Sequence, residues 1–198
     1  MCRSESVLEL QDLFELLHGD VQLGYEYLEK YRNKFFARAL IRSQFALIEG
    51  VAHKMREVAL ASCDEGEIIY SVEEKEVLAD KRAVDDSGKV KDRGKSSFLG
   101  ILCFTFSRYG KIHGVCDFAL QKGDNGWSCL RKALDYRHAI THPKNADQFD
   151  LDMTEWDQIV SGLKWCDSQF ISLFKRCEET DQRIRSKQSS KFATSGLR

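Results

Sequence analysis

The 198-residue sequence contains one proline, Pro143, and no uninterrupted apolar run close to the roughly 20 residues needed to span a bilayer. Scarce proline favours helix, because its ring removes a backbone donor and disrupts a helix interior. Lysine and arginine total 30 and aspartate and glutamate 31, so the chain lacks the basic excess of a general nucleic-acid coat protein. We therefore expect a helical protein with no membrane contact, in which any RNA contact comes from a local patch.

The seven cysteines have scattered spacings, and no two of them form a Cys-x-x-Cys pair. An odd number without such pairs argues against a disulfide framework or a zinc knuckle. This usage is typical of a reducing compartment. We expect a cytoplasmic protein with no metal and no other cofactor.

Apolar residues recur at helical spacing along most of the chain. Gly19-Asp20 is expected to end the first helix, and the charged segment 85–95 is expected to be a surface loop or a short hairpin around Ser87-Gly88. Ser71 with Glu74 predicts a capping box, and Ser96-Ser97 is expected to cap the helix that follows. The predicted helices cover residues 5–18, 21–33, 34–62, 71–83, 97–109, 127–142 and about 152–183.

These elements predict an all-α fold, an up-and-down helical bundle with a long C-terminal helix. Length alone favours one domain, which we place at residues 1–184. Residues 185–198 are rich in serine and carry basic but no acidic side chains. That composition predicts a disordered basic tail.

The stretch from Arg137 to Pro143 combines an arginine, two histidines and the proline. His138 and His142 are four residues apart and share one helix face. Arg137 and His142 are five apart, about 140° on an ideal helix, so they converge only if the helix bends or ends, or if a second copy faces the first. Pro143 predicts such an end, because it disfavours the α conformation for His142. An imidazole at a helix terminus beside a permanent cation is a candidate catalytic site.

This motif resembles that of the HEPN superfamily, the higher eukaryotes and prokaryotes nucleotide-binding domain. The HEPN signature is an arginine followed, after four to six residues, by a histidine. Here Arg137 precedes His142 by four intervening residues, His138 is of a type common after the arginine, and Pro143 also fits. Lys144 departs from members paired with a nucleotidyltransferase antitoxin, which carry tyrosine there.

The resemblance implies a bundle of the HEPN type and a metal-independent endoribonuclease. It also implies a homodimer with the cleft at the seam between protomers, RNA as substrate, and a cognate antitoxin protein as partner. Such domains act as toxins and in phage-defence, stress-response and RNA-processing systems.

RNA cleavage by its own 2′-hydroxyl needs a base for that hydroxyl, an acid for the 5′-oxygen and a cation for the phosphorane charge. We assign His142 as general base or acid and Arg137 as phosphate clamp, because arginine grips two oxygens in a fixed fork. His138 is expected to position the scissile group or to orient the residue that neighbours it in the site. One His142 does not serve both proton transfers in a single step, so two copies across a dimer seam are expected.

Three further residues are expected to support the site or to bind RNA. Lys144 follows the motif. Arg42 and Glu49 lie seven residues apart, nearly on one face of the central predicted helix. They either form a structural salt bridge or exposed stripe, or one of them orients the catalytic histidine.

Other interpretations fit the same residues. A non-catalytic HEPN-like module that binds a nucleotide, RNA or protein would also retain Arg137. Arg137 could instead pair with an acid such as Asp135 or Asp147 while the histidines merely finish a helix. A metal site on His138 and His142 has good chelating geometry, but the glutamate of His-Glu-x-x-His is absent and no third ligand is evident.

Three tyrosines, Tyr25, Tyr27 and Tyr31, occur in the second predicted helix. Their spacing favours a half-buried seam between helices. Stacking on nucleic-acid bases is the alternative.

Overall fold

A computed structural model of the chain describes residues 2–92, 94–145, 147 and 152–195, with side chains for all of these except 153 and 188–195. Helices make up nearly all of the regular structure, which confirms the predicted all-α fold with a long C-terminal helix. Among these residues, no helix has both the length and the apolar character needed to cross a membrane. The elements are α1 (Arg3–Tyr31), α2 (Lys34–Asp64), α3 (Val72–Leu78), β1 (Ala83–Val84), β2 (Val90–Lys91), α4 (Phe98–Ile112), α5 (Asn125–Thr141) and α6 (Met153–Ser195).

The described residues group into two compact units. The first unit combines residues of 3–55 and 121–169, and the second combines residues of 56–120 and 170–195. Helices α2 and α6 therefore contribute residues to both units. The single domain over residues 1–184 stays a prediction.

In the first unit, α1 runs antiparallel to α2. Gly24, late in α1, lies so close to the start of α2 that an added Cβ would be 3.0 Å from Leu40 Cδ1. Glu9, early in α1, accepts a hydrogen bond from Lys54 Nζ at 2.7 Å, far along α2. The two helices thus pack along most of their length.

The expected break at Gly19-Asp20 was wrong, because α1 continues through it. A glycine inside a helix costs about 1 kcal/mol relative to alanine. Leu10 before that point and Val21 after it are both buried. Burying a large aliphatic side chain contributes about 1.5–3 kcal/mol, which outweighs the cost of the glycine.

Helix α5 runs antiparallel to α2 and to the first part of α6. Arg42 of α2 contacts Ile140 of α5, and Glu49, further along α2, contacts Arg137, which is earlier in α5. The two helices therefore run in opposite directions. The first unit is therefore an up-and-down arrangement of helices. The α5–α6 contacts are Asp124 with Trp165 and Lys132 with Gln158.

The second unit confirms several local predictions. Ser71 and Glu74 form the capping box of α3, and the Ser97 side chain accepts a hydrogen bond from the first turn of α4. The hairpin expected at Ser87-Gly88 is the antiparallel pair β1–β2, and Gly88 has a φ of 85°. The core of this unit contains Ala59, Cys63, Tyr70, Val77, Leu78, Val84 and Phe104.

Helix α6 continues beyond its predicted end near Arg183 and includes residues 185–195. The helix therefore includes most of the segment predicted to be a basic tail, and the disorder of that tail stays a prediction. Residues 196–198 lie outside the described part of the chain. No proline or glycine occurs between residues 163 and 195. Extending an existing helix requires no new nucleation, so the chain has no local reason to stop there.

Candidate active site

The predicted motif lies at the carboxyl end of α5. The helix ends at Thr141, and His142 is its C-cap, with φ −127° and ψ 62°. The N–H of His142 donates to the carbonyl of His138 at 3.0 Å. Pro143 follows, where it would not continue a helix. The helix thus ends inside the motif, as the proline predicts. Because the backbone of His142 is not helical, the 140° rotation of an ideal helix does not apply between Arg137 and His142.

Arg137 contacts two residues of α2. Its Nη2 donates to Glu49 Oε1 at 2.8 Å, and its Cζ lies 5.9 Å from the centroid of the Phe45 ring. The Arg137 and Glu49 side chains are 25% and 43% exposed, so water reaches both partners. Arg137 therefore pairs with an acid, as the structural alternative expected, and this acid is Glu49 rather than either of the two examples, Asp135 and Asp147.

Arg42 caps the same end of α5. Its Nη2 donates to the carbonyl oxygen of Ile140 at 2.7 Å. This carbonyl is one of the last four of the helix, which have no partner within it, and a cation there also interacts favourably with the helix dipole. Both Arg42 and Glu49 thus hold α5, and neither forms a hydrogen bond with a histidine side chain of the motif.

Phe45 is a site residue that the sequence analysis missed. It lies under the Arg137 guanidinium and is 1% exposed. Its spacing gave a signal, because residues 42, 45 and 49 are three and four apart and share one face of α2. A buried aromatic ring below a partly exposed guanidinium contributes cation–π attraction and limits where that group can move.

The two imidazoles of the motif are accessible. His138 and His142 are both exposed, as is Lys144. In the part of the chain that the structure describes, neither imidazole has a hydrogen-bond partner. No acidic residue occurs between Arg137 and Lys144, so the end of α5 presents basic and titratable groups together.

The start of α5 is fixed by α6. Asp124 Oδ1 accepts from the N–H of Trp127 at 2.9 Å, and Asp124 Oδ2 accepts from Trp165 Nε1 at 2.7 Å. The two indole rings meet edge to face, with centroids 5.9 Å apart. A Cβ added at Gly162 would overlap the α5 backbone at Cys129, so this close approach requires glycine. With Arg42 at the other end, α5 is held at both termini.

A buried polar contact also lies in the first unit. Gln44 Nε2 donates to Asp167 Oδ1 at 2.5 Å, and Gln44 is fully buried. Burial raises the pKa of Asp167 to about 6, although the hydrogen bond from Gln44 acts in the opposite direction. Burial, followed by the nearby charge of Asp167, also raises the pKa of Tyr25. Tyr27 and Tyr31 are about half exposed and stack on Phe36 of α2, so the predicted half-buried seam includes them as well as the partly buried Tyr25.

Among the described residues, no group of three or more histidine, cysteine, aspartate or glutamate side chains could hold a metal ion. Comparisons of the chain with protein-family models, with curated proteins and with solved structures find no match. The HEPN resemblance stays a prediction, based on residues 137–143 and the helical fold.

Proposed function

We propose that this protein is a metal-independent endoribonuclease of the HEPN type that acts in the cytoplasm. The observation that carries the proposal is the end of α5, where a partly exposed arginine and an exposed, non-helical histidine follow each other within six residues. No acid interrupts this stretch from Arg137 to Lys144. Such a surface suits a polyanion with a reactive phosphate.

In the proposed reaction, the 2′-oxygen of one nucleotide attacks the adjacent phosphorus. A neutral imidazole of His142 takes the proton of the 2′-hydroxyl, the new O2′–P bond forms, and the P–O5′ bond breaks. A protonated imidazole donates its proton to the departing 5′-oxygen. Arg137 stabilises the phosphorane oxygens with its fixed fork of donors. The products are a 2′,3′-cyclic phosphate and a 5′-hydroxyl.

The Arg137–Glu49 pair is compatible with this role because Arg137 can exchange the Glu49 carboxylate for another anion. A partly exposed ion pair contributes about 0–1 kcal/mol to stability. An RNA phosphate can therefore replace the Glu49 carboxylate at small cost. Phe45 below the guanidinium keeps Arg137 in place while its partner changes.

Two proton transfers require two imidazoles of opposite protonation state. A homodimer supplies a second His142, and it allows His138 and Lys144 of either protomer to bind the flanking phosphates. We therefore include a homodimer, with the site at the seam, in the proposal. A toxin or phage-defence effector held by a cognate antitoxin protein is the cellular role that follows from the resemblance.

The second candidate is a non-catalytic HEPN-like module that binds a nucleotide, RNA or a protein. The observation that favours it is that, among the described residues, neither the His138 nor the His142 imidazole has a hydrogen-bond partner to orient it for proton transfer. A binding module would use Arg137 as an anion receptor and would leave the imidazoles without a proton-transfer role.

The test is cleavage of a labelled single-stranded RNA in excess EDTA. We expect the parent protein to cleave, and His142→Ala and Arg137→Ala each to lower the rate by about 10²–10³-fold, within the range for removal of a proton-transfer group or a charge-stabilising donor. His18→Ala, which removes another exposed histidine of the first unit, is the matched control and should cleave like the parent. DNA of the same sequence should be inert, because it lacks the 2′-hydroxyl.

Equal cleavage by the parent and His142→Ala would assign the activity to another site or to a contaminant. No cleavage by the parent, combined with RNA binding that requires Arg137, would favour the binding module.

A further inference from the structure

Several aromatic side chains are exposed where α1 meets α2. Tyr27, Tyr31 and Phe35 are 45%, 51% and 57% exposed. The rings of Tyr27, Tyr31 and Phe36 stack on one another, with centroids 5.3 to 6.0 Å apart. Phe35 meets Phe36 edge-on at 5.4 Å. Adjacent aromatic rings that stay about half exposed form an apolar patch of the kind that marks a binding site.

Cationic side chains alternate with these rings. Residues 30–42 contain five lysine and arginine residues and no acid, in a chain whose net charge is −1. Lys30 Nζ lies 5.1 Å from the centroid of the Tyr31 ring. The aromatic–basic cluster is defined as Tyr27, Lys30, Tyr31, Lys34, Phe35 and Phe36.

The turn that carries the cluster is short and well fixed. Only two residues separate α1 from α2. The N–H of Arg32 donates to the carbonyl of Leu28 at 2.8 Å, and Asn33 Oδ1 accepts from the N–H of Phe35 at 2.7 Å. Rings on two helix ends joined in this way are pre-organised, which reduces the entropy lost when a ligand binds.

One face of α2 connects the cluster to the candidate active site. Five side chains follow each other at intervals of three and four residues, which places them on the same face. The last two of them contact Arg137, and the whole row extends about 20 Å at 1.5 Å per residue. The row consists of Phe35, Arg38, Arg42, Phe45 and Glu49.

We propose that the aromatic–basic cluster binds single-stranded RNA, whose bases stack on Phe35 and Tyr31 while its phosphates approach Lys34 and Arg38. The strand would continue along the face of α2 towards Arg137. This inference deepens the proposed function and rests on it, since it specifies the substrate as unpaired RNA and assigns a site for its flanking nucleotides.

The chemistry of the cluster favours RNA over a protein partner. Lysine is depleted in the cores of protein–protein interfaces, whereas here lysines alternate with the exposed rings. Aromatic platforms within a positive surface are the usual way to bind single strands without sequence preference. Duplex RNA keeps its base faces stacked internally, so it cannot use these rings.

The test measures binding of a short labelled single-stranded RNA by fluorescence anisotropy. The full chain carries His142→Ala, so the RNA stays intact. Phe35→Leu retains apolar bulk but loses the aromatic face, and we expect the affinity to fall by about fivefold to a hundredfold. Leu16→Ala removes a comparably exposed apolar side chain of α1 outside the cluster and should bind like the parent.

The salt dependence separates the charged contacts from stacking. Lys34→Gln should reduce the slope of log affinity against log salt by about 0.7 if Lys34 neutralises one phosphate of a single strand. Lys164→Gln, which removes an exposed cation of α6 in the first unit, should leave the slope unchanged. The duplex form of the same RNA should bind more weakly than the single strand, and Phe35→Leu should not affect its affinity.

The inference is overturned by an absence of RNA binding, by equal binding of Phe35→Leu and the parent, or by a Phe35 effect that is the same for duplex and single strand. A Phe35→Leu variant that sediments as a smaller species while binding RNA normally would assign this surface to contact between copies of the chain. A parent that cleaves RNA without needing Phe35 for binding would contradict this inference alone. RNA binding that needs Phe35 without any cleavage would contradict the ribonuclease alone.

Discussion

Each unit contains an arginine–carboxylate pair that involves α2, and the two pairs differ in how much water reaches the arginine. In the first unit, Arg137 is 25% exposed and contacts one oxygen of Glu49. In the second unit, the Arg56 side chain is 8% exposed, and its Nη2 reaches both oxygens of Asp80 at 2.9 and 3.0 Å. Of these two pairs on α2, the one with Arg137 is accessible and the one with Arg56 is buried.

The buried pair has a structural role. Asp80 follows α3 with a φ of 56°, a left-handed conformation that aspartate and asparagine adopt more readily than most residues. A buried guanidinium needs its partner, because an unpaired buried charge is strongly destabilising. Arg137 is partly exposed, and in the proposed function a phosphate replaces its carboxylate partner. Burial therefore distinguishes an arginine that fixes the fold from one that we propose binds a ligand.

The largest effect on stability is expected from removing the carboxylate of the buried pair. Asp80→Asn retains the preference for a left-handed backbone but removes the charge beside Arg56. We expect the free energy of unfolding to fall by about 3 kcal/mol, at the lower end for breaking a buried pair because Asp80 itself is half exposed. Equilibrium urea unfolding followed by circular dichroism measures this change.

Arg56→Met is the control for that measurement. This substitution replaces the buried charge with an apolar side chain that needs no partner. We expect the free energy of unfolding to fall by less than for Asp80→Asn, because no buried charge remains unpaired. If Arg56→Met costs more than Asp80→Asn, the packing of the arginine stem rather than charge pairing determines stability at this position.

A smaller effect on stability is expected at Asp167, a partly buried carboxyl in the first unit that contacts an amide and not an arginine. Its pKa is raised to about 6 in the folded state, above the usual value near 3.9. The folded state therefore binds its proton more tightly, and the corresponding stability is present below about pH 4 and lost as pH rises through about 6. Relative to the parent, Asp167→Asn should gain about 2 kcal/mol in the free energy of unfolding between pH 4 and pH 7.

Asp157→Asn, at an exposed position of the same helix, is the control for this profile. Urea unfolding at a series of pH values gives the comparison. Parallel profiles for the parent and Asp167→Asn would show that the carboxyl is hydrated. Burial would then not explain the differences between charged groups in this molecule.

Capping residues and the proline predicted those helix ends that depend on side chains a few positions away. The caps at Ser71 and Ser97 and the helix end before Pro143 were all found from side-chain chemistry a few positions away. The break at Gly19 was predicted wrongly, because the local cost of glycine is smaller than the gain from packing α1 against α2. Local chemistry thus determines where helices end unless long-range packing opposes it.

The sequence did not predict which residue pairs with Arg137, because that partner depends on how segments distant in the chain pack together. Arg137 and Glu49 are 88 residues apart, whereas candidates such as Asp135 are nearer in the sequence. Asp135 is two residues before Arg137 on the same helix, where the two side chains do not face each other. Asp167 was detectable in principle, since residues 163, 167 and 170 share one face of α6 and the outer two are buried. A polar residue at a core position of a helical pattern is a signal for a buried titratable group.

The smallest effect on stability is expected at the partly exposed pair of Arg137 and Glu49. Glu49→Gln removes the negative charge beside Arg137 but retains an oxygen that can accept its hydrogen bond. The free energy of unfolding should change by less than about 1 kcal/mol, as for other partly exposed pairs. RNA affinity, measured in the His142→Ala background, should rise by a few fold, because a phosphate no longer competes with a carboxylate for the guanidinium.

Glu9→Gln provides a closely matched control for this last prediction. Glu9 pairs with Lys54 in the same unit, and the Lys54 and Glu9 side chains are 22% and 44% exposed, against 25% and 43% for Arg137 and Glu49. The same charge is therefore removed from an equally accessible pair that lies outside the candidate site. A gain in RNA affinity for Glu49→Gln but not for Glu9→Gln would identify Arg137 as the phosphate receptor. A loss of affinity for Glu49→Gln would instead mean that Glu49 positions Arg137 for binding, and that the accessible pair, like the buried one, needs its carboxylate to hold the arginine.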